Sequence, residues 1–187
     1  MGRLMKLTPT ALHGVYVASS IAASDHRGAF ARLYCERELA EALGSRRIVQ
    51  VNHSRTAAAG AVRGMHLQKT PYAEMKFVRC LRGRVWDVVV DLRAGSPTLL
   101  QSHAEELTGE NGRMMIIPEG CAHGFQALEP QSEMLYLHTA FYDPTSELGF
   151  SCFDESLELR WPLPIVDLSQ RDATHQLIAD DFSGLAT

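Results

Sequence analysis

The segment "MKFVRCLRGRVWDVVVDL", residues 75–92, decides the fold class of this chain. It contains two runs rich in Val, Phe and Trp, 75–81 and 84–92, and the short break Arg82-Gly83 separates them. β-branched and aromatic residues favour strands, and a glycine at so short a break indicates a tight turn. The segment therefore predicts two short strands in immediate succession.

The same rhythm continues as far as residue 142. Turn residues such as Gly, Pro and Asn separate further short apolar runs, which predict strands at 98–107, 113–118, 125–128 and 133–142. Evenly spaced short strands are typical of an antiparallel sandwich or barrel, and the alternation of strands with helices that marks a parallel sheet does not occur. The pattern predicts an all-β fold.

One helix is predicted at residues 35–43, where Leu39 and Leu43 repeat at i, i+4 and Gly44 provides a stop. We expect it to pack on the outside of the sheet. The tail from Pro162 onward has mixed polarity and predicts an ordered arm with a short turn of helix. A chain of 187 residues, 45% of them hydrophobic, is long enough for one full core. We therefore expect a single domain over 1–187, with N-terminal and C-terminal extensions packed on the barrel.

Charge and cysteine usage exclude several classes of function. The net charge of −4 provides no positive field for nucleic acid or an anionic membrane. No apolar run approaches the roughly 20 residues that span a bilayer. The four cysteines form no CxxC pair, and the N-terminal "MGRLMKLTPT" lacks the apolar core of a signal peptide. These features predict a cytoplasmic protein that binds any anionic ligand through locally placed Arg and Lys.

The sequence lacks the motifs of several common catalytic sites. Metal-binding barrels of this kind carry HxH followed by a carboxylate, whereas here Gln68 follows His66 and Glu74 is displaced, so three ligands are not assembled. We therefore predict no metal. No GxSxG motif, activated cysteine motif or phosphate-binding glycine loop is present either.

The segment "VRGMHLQ", residues 62–68, raises a question of geometry. Strict alternation along a strand would point Arg63 and His66 to opposite faces. A bend or bulge at Gly64 would let both reach one cavity, because glycine tolerates such a backbone. Taken singly, the polar residues of this and neighbouring segments also fit ordinary structural positions in a barrel, as core or edge side chains: His66, His123, Lys76, Tyr136 and Tyr142.

Seven segments, taken together, resemble the dTDP-4-dehydrorhamnose 3,5-epimerase family, the deoxysugar epimerases of the cupin superfamily. In chain order they are "DHRGAFAR" (25–32), "VQVNHS" (49–54), "VRGMHLQ" (62–68), "MKFVRCLRGRVWDVVVDLRAGSPT" (75–98), "IPEGCAHGFQAL" (117–128), "YLHTAFYDPTSE" (136–147) and "WPLPIVDLSQRD" (161–172). The resemblance implies a cupin-type antiparallel jelly-roll barrel with a few short peripheral helices. It also implies a homodimer that needs no cofactor and binds a nucleoside-diphosphate 4-keto-6-deoxyhexose, dTDP-linked.

The implied reaction inverts C3, C5 or both by removal and return of a proton through a C4 enolate. By motif position, His66 corresponds to the base and Asp172 to the carboxylate that orients it. Lys76 corresponds to the donor that stabilises the enolate, and Tyr136 to the acid on the opposite face of the sugar. Histidine suits the first role because its unperturbed pKa is about 6.5. The resemblance assigns substrate binding to Arg27, Phe30, Gln50, Asn52, Arg63, His123, Tyr142, Glu147 and Arg171.

One position departs from the family pattern and leaves the specificity open. Arg32 stands five residues after Arg27, where the rhamnose-pathway enzymes often have Glu, so a cation replaces an acceptor near the expected nucleotide end. The nucleotide and the sugar therefore stay open. The choice of carbon also stays open, because epimerases of one carbon and of two carbons use the same base. The alternatives are an epimerase of C3 alone or C5 alone, a non-catalytic sugar-nucleotide-binding barrel and, more remotely, a metal-dependent cupin.

Overall fold

A computed structural model of the chain describes residues 4–187. Its strands within that range are β1 (Met5–Pro9), β2 (Tyr16–Ser20), β3 (Ala23–Asp25), β4 (Gly28–Phe30), β5 (Gln50–Thr56), β6 (Val62–Gln68), β7 (Lys76–Arg82), β8 (Arg84–Asp91), β9 (Ser102–Thr108), β10 (Arg113–Ile117), β11 (Cys121–Ala127), β12 (Ser132–His138) and β13 (Glu147–Gly149). Its helices are α1 (Ala40–Leu43), α2 (Gln170–Ala173) and a 3-10 turn, Glu155–Leu157.

Two antiparallel sheets form the body of the fold. Six strands pair in the order β1-β2-β10-β7-β12-β5 and five in the order β13-β6-β11-β8-β9, while β3 and β4 pair only with each other. The strands of segment 75–92 lie in opposite sheets, and the chain crosses between the sheets at Gly83. Their inward side chains meet in one buried cluster to which both sheets contribute, including Val78, Cys80, Val85, Val89 and Phe125.

The outer faces of both sheets are also covered, which explains why several strands are apolar without alternation. Phe77 and Leu137 of the larger sheet pack against Leu39 and Leu43, both of which are buried. The predicted covering helix is thus present and ends at Gly44, but it begins at Ala40 rather than residue 35. Residues before it form a turn closed on the Cys35 carbonyl, and the Glu38 carboxylate instead accepts the Met5 N–H at 2.8 Å. Tertiary contacts outweigh helix propensity there.

Three other predicted elements have different bounds. The strand predicted at 98–107 begins only at Ser102, because residues before it turn back to pair with Asp91 through the Leu100 N–H. The strand predicted at 125–128 begins earlier, at Cys121, and every residue of β11 is buried. Small residues in "CAHG" suggest a turn by composition, whereas here they fit between two neighbouring strands. The strand predicted at 133–142 ends at His138.

The C-terminal arm covers the outer face of the smaller sheet. Ile178 and Phe182 of the arm, together with Leu157 of the preceding 3-10 turn, pack against Met65 and Val88. As predicted, the arm is extended and contains one short helical turn, α2. Ser169 caps that turn, since its hydroxyl accepts the backbone N–H of Asp172. No helix within residues 4–187 has the length and apolar character needed to cross a membrane.

Candidate active site

A cavity of about 1030 Å³ lies between the sheets, where β5, β6 and β12 meet the segment before α2. Polar side chains from distant parts of the sequence line it, among them His66, Lys76, His123, Tyr136 and Asp172. Such a concave region with convergent polar groups is the usual form of a binding site for a small molecule. The four residues expected to carry catalysis therefore share one cavity: His66, Lys76, Tyr136 and Asp172.

A bulge in β6 brings Arg63 and His66 to the same side. His66 pairs with His123 of β11 and Arg63 pairs with Phe125, so β6 has one residue more than β11 over this stretch. The extra residue reverses the alternation, and both side chains line the cavity. Gly64 at the bulge has φ +137°, and a Cβ there would lie 2.5 Å from the Cα of Gly124. The expected bend at glycine is thus present in the structure.

His66 and Asp172 form a hydrogen-bonded pair at one wall. Nε2 of His66 lies 2.9 Å from Oδ1 of Asp172, whose other oxygen accepts the backbone N–H of Gly64 at 3.2 Å. Asp172 is buried, with 3% of its side chain exposed. Burial raises the pKa of this carboxyl, but the hydrogen bond and charge of His66 lower it by more, so it lies well below its usual range. An ionised Asp172 therefore fixes the orientation of the His66 ring.

Two further side chains surround this pair. The ring of His175 packs edge-to-face against that of His66, with ring centroids 5.4 Å apart, and its Nδ1 has no hydrogen-bond partner among the described residues. Burial and the proximity of His66 lower the pKa of His175. His66, Asp172 and His175 each direct one possible metal ligand to within 4.8 Å of the others. However, the guanidinium of Arg171 lies 3.4 Å from Nε2 of His66, and its charge opposes a cation there.

Lys76 lies beside His66 on the neighbouring sheet. Its Nζ donates to the backbone carbonyl of His66 at 3.1 Å and forms an ion pair of 3.1 Å with Glu74. Only 9% of the Lys76 side chain is exposed. An ammonium group has three donors, so these contacts leave one proton for a ligand in the cavity. The position therefore suits stabilisation of a negative oxygen.

Tyr136 supplies a protonated hydroxyl to the cavity. Its hydroxyl lies 2.9 Å from that of Ser54, and its ring lies 6.4 Å from the ring of His123. Burial raises the pKa of Tyr136 to about 12, although the hydrogen bond from Ser54 lowers it. His123 is fixed in turn by buried Asp87, whose Oδ2 lies 2.8 Å from Nε2. At neutral pH the phenol thus retains its proton and can donate it.

The expected substrate-binding residues fall into two groups. Six line the cavity: Asn52, Arg63, His123, Tyr142, Glu147 and Arg171. Gln50 lies at its edge, where its side chain accepts the Tyr142 N–H at 3.1 Å. Arg27 and Phe30 lie elsewhere, on the separate β3-β4 ribbon, because that ribbon joins neither large sheet. Arg27 is exposed and paired with Asp25, and Phe30 is 71% exposed. Arg32 pairs with Glu38.

Sequence reasoning missed several polar residues that the cavity contains. His138 lines it two positions after Tyr136 on the same strand, and Glu74 and Ser54 also line it. The period of two along β12 could have identified His138, since Tyr136 and His138 must share a face. Glu74 belongs to no strand, so no periodicity indicated its direction. The same holds for His175, which packs against His66.

Two facing antiparallel sheets enclose a cavity lined by a histidine–aspartate pair, a lysine and a tyrosine, which is the architecture of a jelly-roll protein with groups suited to proton transfer. A family model described as dTDP-4-dehydrorhamnose 3,5-epimerase matches residues 9–180. The chain belongs to this family, and it is an epimerase of the deoxysugar class on a cupin-type fold. The predicted family, fold class and enzyme class are confirmed.

Individual relatives cover nearly the whole chain. The dTDP-4-dehydrorhamnose 3,5-epimerase of Pseudomonas aeruginosa is 42% identical over 178 residues, which are 94% of this chain and 97% of that protein. A Legionella pneumophila 3,5-epimerase solved with dTDP-4-keto-L-rhamnose superposes with a TM-score of 0.90, at 35% identity, and covers 98% of this chain and 99% of that one. A 3'-monoepimerase from Streptomyces bikiniensis, solved with dTDP-quinovose, superposes with a TM-score of 0.84 at 29% identity. The match covers 90% of this chain and 86% of that one.

Proposed function

We propose that this enzyme epimerises a dTDP-linked 4-keto-6-deoxyhexose at C3, C5 or both, in the biosynthesis of a deoxysugar. The observation that carries the proposal is the presence of the His66–Asp172 pair, Lys76 and Tyr136 around one cavity. Relatives at high coverage are named for this chemistry, and solved members of the family hold dTDP-sugars.

In the proposed mechanism, His66 removes the proton from the carbon next to the C4 ketone. Its Nε2 is bonded to Asp172, which leaves Nδ1 as the atom that accepts the proton. The C–H electrons form the C3–C4 or C4–C5 double bond, and the carbonyl electrons move onto oxygen. Lys76 stabilises that enolate oxygen, where one donor contributes roughly 3 to 4 kcal/mol. Inversion results when Tyr136 donates its proton to the opposite face of the same carbon.

Two arginines of the cavity supply the charge that the diphosphate needs. Arg63 and Arg171 both line it, and the Arg171 side chain is 55% exposed, so its guanidinium is accessible to a ligand. Guanidinium groups bind phosphate oxygens through paired charge-assisted hydrogen bonds. Asn52, His123, Tyr142, Glu147 and, at the cavity edge, Gln50 are proposed to bind the sugar and the nucleotide.

We also propose a cytoplasmic homodimer. The side chain of Phe30 is largely exposed, and its ribbon lies away from the lining of its own cavity. Arg27 and Phe30 therefore bind substrate only if the ribbon reaches the cavity of a second copy. Four free cysteines are compatible with a reducing compartment.

The test is proton NMR of dTDP-4-keto-6-deoxyglucose incubated with the enzyme in deuterated water. We expect deuterium at C3, C5 or both, together with a new signal for the inverted sugar. The absence of exchange at both carbons, with dTDP binding retained, would overturn the proposed reaction.

Epimerisation of C3 alone is the second candidate. The 3,5-epimerase of Shigella flexneri and the 3-epimerase of Streptomyces niveus are each 37% identical to the chain over 177 residues. Sequence identity therefore favours neither a 3-epimerase nor a 3,5-epimerase. The same spectra separate them, because a 3-epimerase leaves the configuration at C5 unchanged.

A further inference from the structure

Another carboxylate–histidine pair, besides His66–Asp172 and His123–Asp87, lies in the cavity wall and has no part in the proton transfers described above. Oε2 of Glu74 lies 2.6 Å from Nδ1 of His138. Both side chains are nearly buried, with 8% of Glu74 and 11% of His138 exposed, and both line the cavity. Burial of the Glu74 carboxylate in such a position costs desolvation energy, so a purely structural explanation is weak.

Glu74 connects this pair to Lys76. Its other oxygen, Oε1, forms the 3.1 Å ion pair with Nζ of Lys76. Burial raises the pKa of Glu74, but the hydrogen bond with His138 and the charge of Lys76 lower it by more, so the net shift is downward and the group is ionised. Each carboxylate oxygen therefore has its own partner, and Glu74 fixes where the ammonium lies.

His138 connects the same pair to Tyr136. Its ring stacks on the Tyr136 ring at a centroid distance of 6.2 Å with 18° between the planes. Because ionised Glu74 can only accept hydrogen bonds, Nδ1 of His138 carries a proton, and Nε2 faces the side-chain amide of Asn52 at 3.4 Å. The ring is thus held at both nitrogens, and one of its faces lies against the phenol.

We propose that Glu74 and His138 are positioning residues for the epimerase reaction, which fix the ammonium of Lys76 and the phenol of Tyr136 relative to each other. This inference rests on the proposed function. Glu74 holds Lys76 at the enolate oxygen, and His138 holds the Tyr136 ring on the side from which the proton returns. The two residues act on different steps: Glu74 on enolate formation, and His138 on the choice between inversion and return to the starting sugar.

The experiment compares deuterium exchange with net inversion in the same reaction, using dTDP-4-keto-6-deoxyglucose. For Glu74→Gln we expect exchange and inversion to fall together by about 10-fold to 100-fold at unchanged KM, because a misplaced group lowers the rate by up to about 100-fold. For His138→Leu we expect exchange to continue while the inversion-to-exchange ratio falls about 10-fold. His66 then returns a solvent deuteron to the original face more often than Tyr136 delivers its proton.

Two further variants separate positioning from folding. His138→Gln keeps an N–H for Glu74 and should restore most of the ratio, whereas a loss of folded protein changes the total rate but not the ratio. His103→Gln is the matched control, since His103 pairs with Glu105 at 3.5 Å on β9, outside the cavity lining. It should keep wild-type exchange and inversion.

The outcomes distinguish this inference from the function on which it rests. Wild-type enzyme without exchange would overturn the proposed reaction itself. Active wild type with an unchanged ratio in His138→Leu, or with unchanged exchange in Glu74→Gln, would overturn the positioning roles. If Glu74→Gln fails to fold, Glu74→Asp retains the charge but shortens the side chain, and the same loss of exchange is expected.

Discussion

Two buried aspartates, Asp172 at the cavity and Asp91 at the end of β8, have similar surroundings. They differ in whether the side chain that each one binds can reach a ligand. Each has an arginine one or two residues away, and the pKa of each is held below its usual range. For Asp91, burial raises the pKa, but hydrogen bonds from Arg93, Ser96 and Thr98 lower it to about 2. A low pKa alone therefore does not identify a catalytic carboxylate.

The difference lies in what each carboxylate holds. Apart from a long contact of 4.0 Å with the Cys121 thiol, the hydrogen bonds of the Asp91 carboxylate come from residues 93–98, within one local loop, and Nε of Arg93 is 2.8 Å from Oδ1. Asp172 instead connects α2 to β6, and its partner His66 retains a ring nitrogen for a ligand in the cavity. The first cluster closes a loop, whereas the second leaves a reactive atom accessible. We therefore expect the accessibility of the partner side chain, rather than the pKa of the carboxylate, to distinguish a catalytic aspartate from a structural one.

The largest effect that tests this comparison is expected for His66→Asn. Asparagine retains a polar side chain near Asp172 but cannot act as a base, so exchange at the sugar carbons should fall roughly 1000-fold. The measurement is deuterium incorporation by NMR. Thermal unfolding should remain close to wild type, and exchange at the wild-type rate would contradict the role of His66.

A smaller kinetic loss is expected for Asp172→Asn. The amide can still contact His66 but, without the charge, holds its ring less firmly, and a misoriented ring lowers the rate by about 100-fold. Steady-state kinetics should show the loss in kcat more than in KM. A variant with normal kcat and reduced stability would place Asp172 in the same class as Asp91.

Asp91→Asn should show the reverse behaviour. Loss of the charge weakens several charge-assisted hydrogen bonds to Arg93, Ser96 and Thr98, which together stabilise the fold by about 2 kcal/mol. Urea denaturation should reveal the lower free energy of unfolding. The activity per folded molecule should equal that of wild type, and a loss of kcat would show that the loop cluster also serves the site.

The smallest expected effect is the pH dependence of the difference in unfolding free energy between wild type and Asp91→Asn. The pKa of Asp91 falls from an ordinary 3.8 to about 2 on folding, so its stabilisation is complete above about pH 4 and is lost as pH falls toward 2. The difference in unfolding free energy between wild type and Asp91→Asn should therefore be constant from pH 7 to 5 and shrink below 4. A difference that grows in acid would contradict this assignment.

Local sequence predicted the strands well where both faces of a strand are apolar, as in 75–92. It failed where tertiary contacts decide. Glu38 bonds to β1 and the helix begins later, and the small residues at 121–124 form a strand because two neighbouring strands enclose them. Neither effect leaves a periodic signal in the sequence.

The cavity residues could be predicted only through the resemblance, since their ranges of sequence are far apart. His66 and Asp172 are 106 positions apart, yet their side chains form a hydrogen bond. The resemblance also named Arg27 and Phe30, which the single chain leaves outside the cavity. The bulge at Gly64 was predictable from alternation combined with the resemblance, because the resemblance placed Arg63 and His66 in one cavity and no regular strand could bring them together.

The two glycines at that bulge set limits on how the site can change. A Cβ on Gly64 would lie 2.5 Å from the Cα of Gly124, and a Cβ on Gly124 would lie 2.9 Å from the carbonyl oxygen of Arg63. Any side chain at either position would therefore push apart the strands that carry His66 and His123. A mutant library that aims to alter sugar specificity should keep both glycines fixed and vary the residues at the cavity mouth.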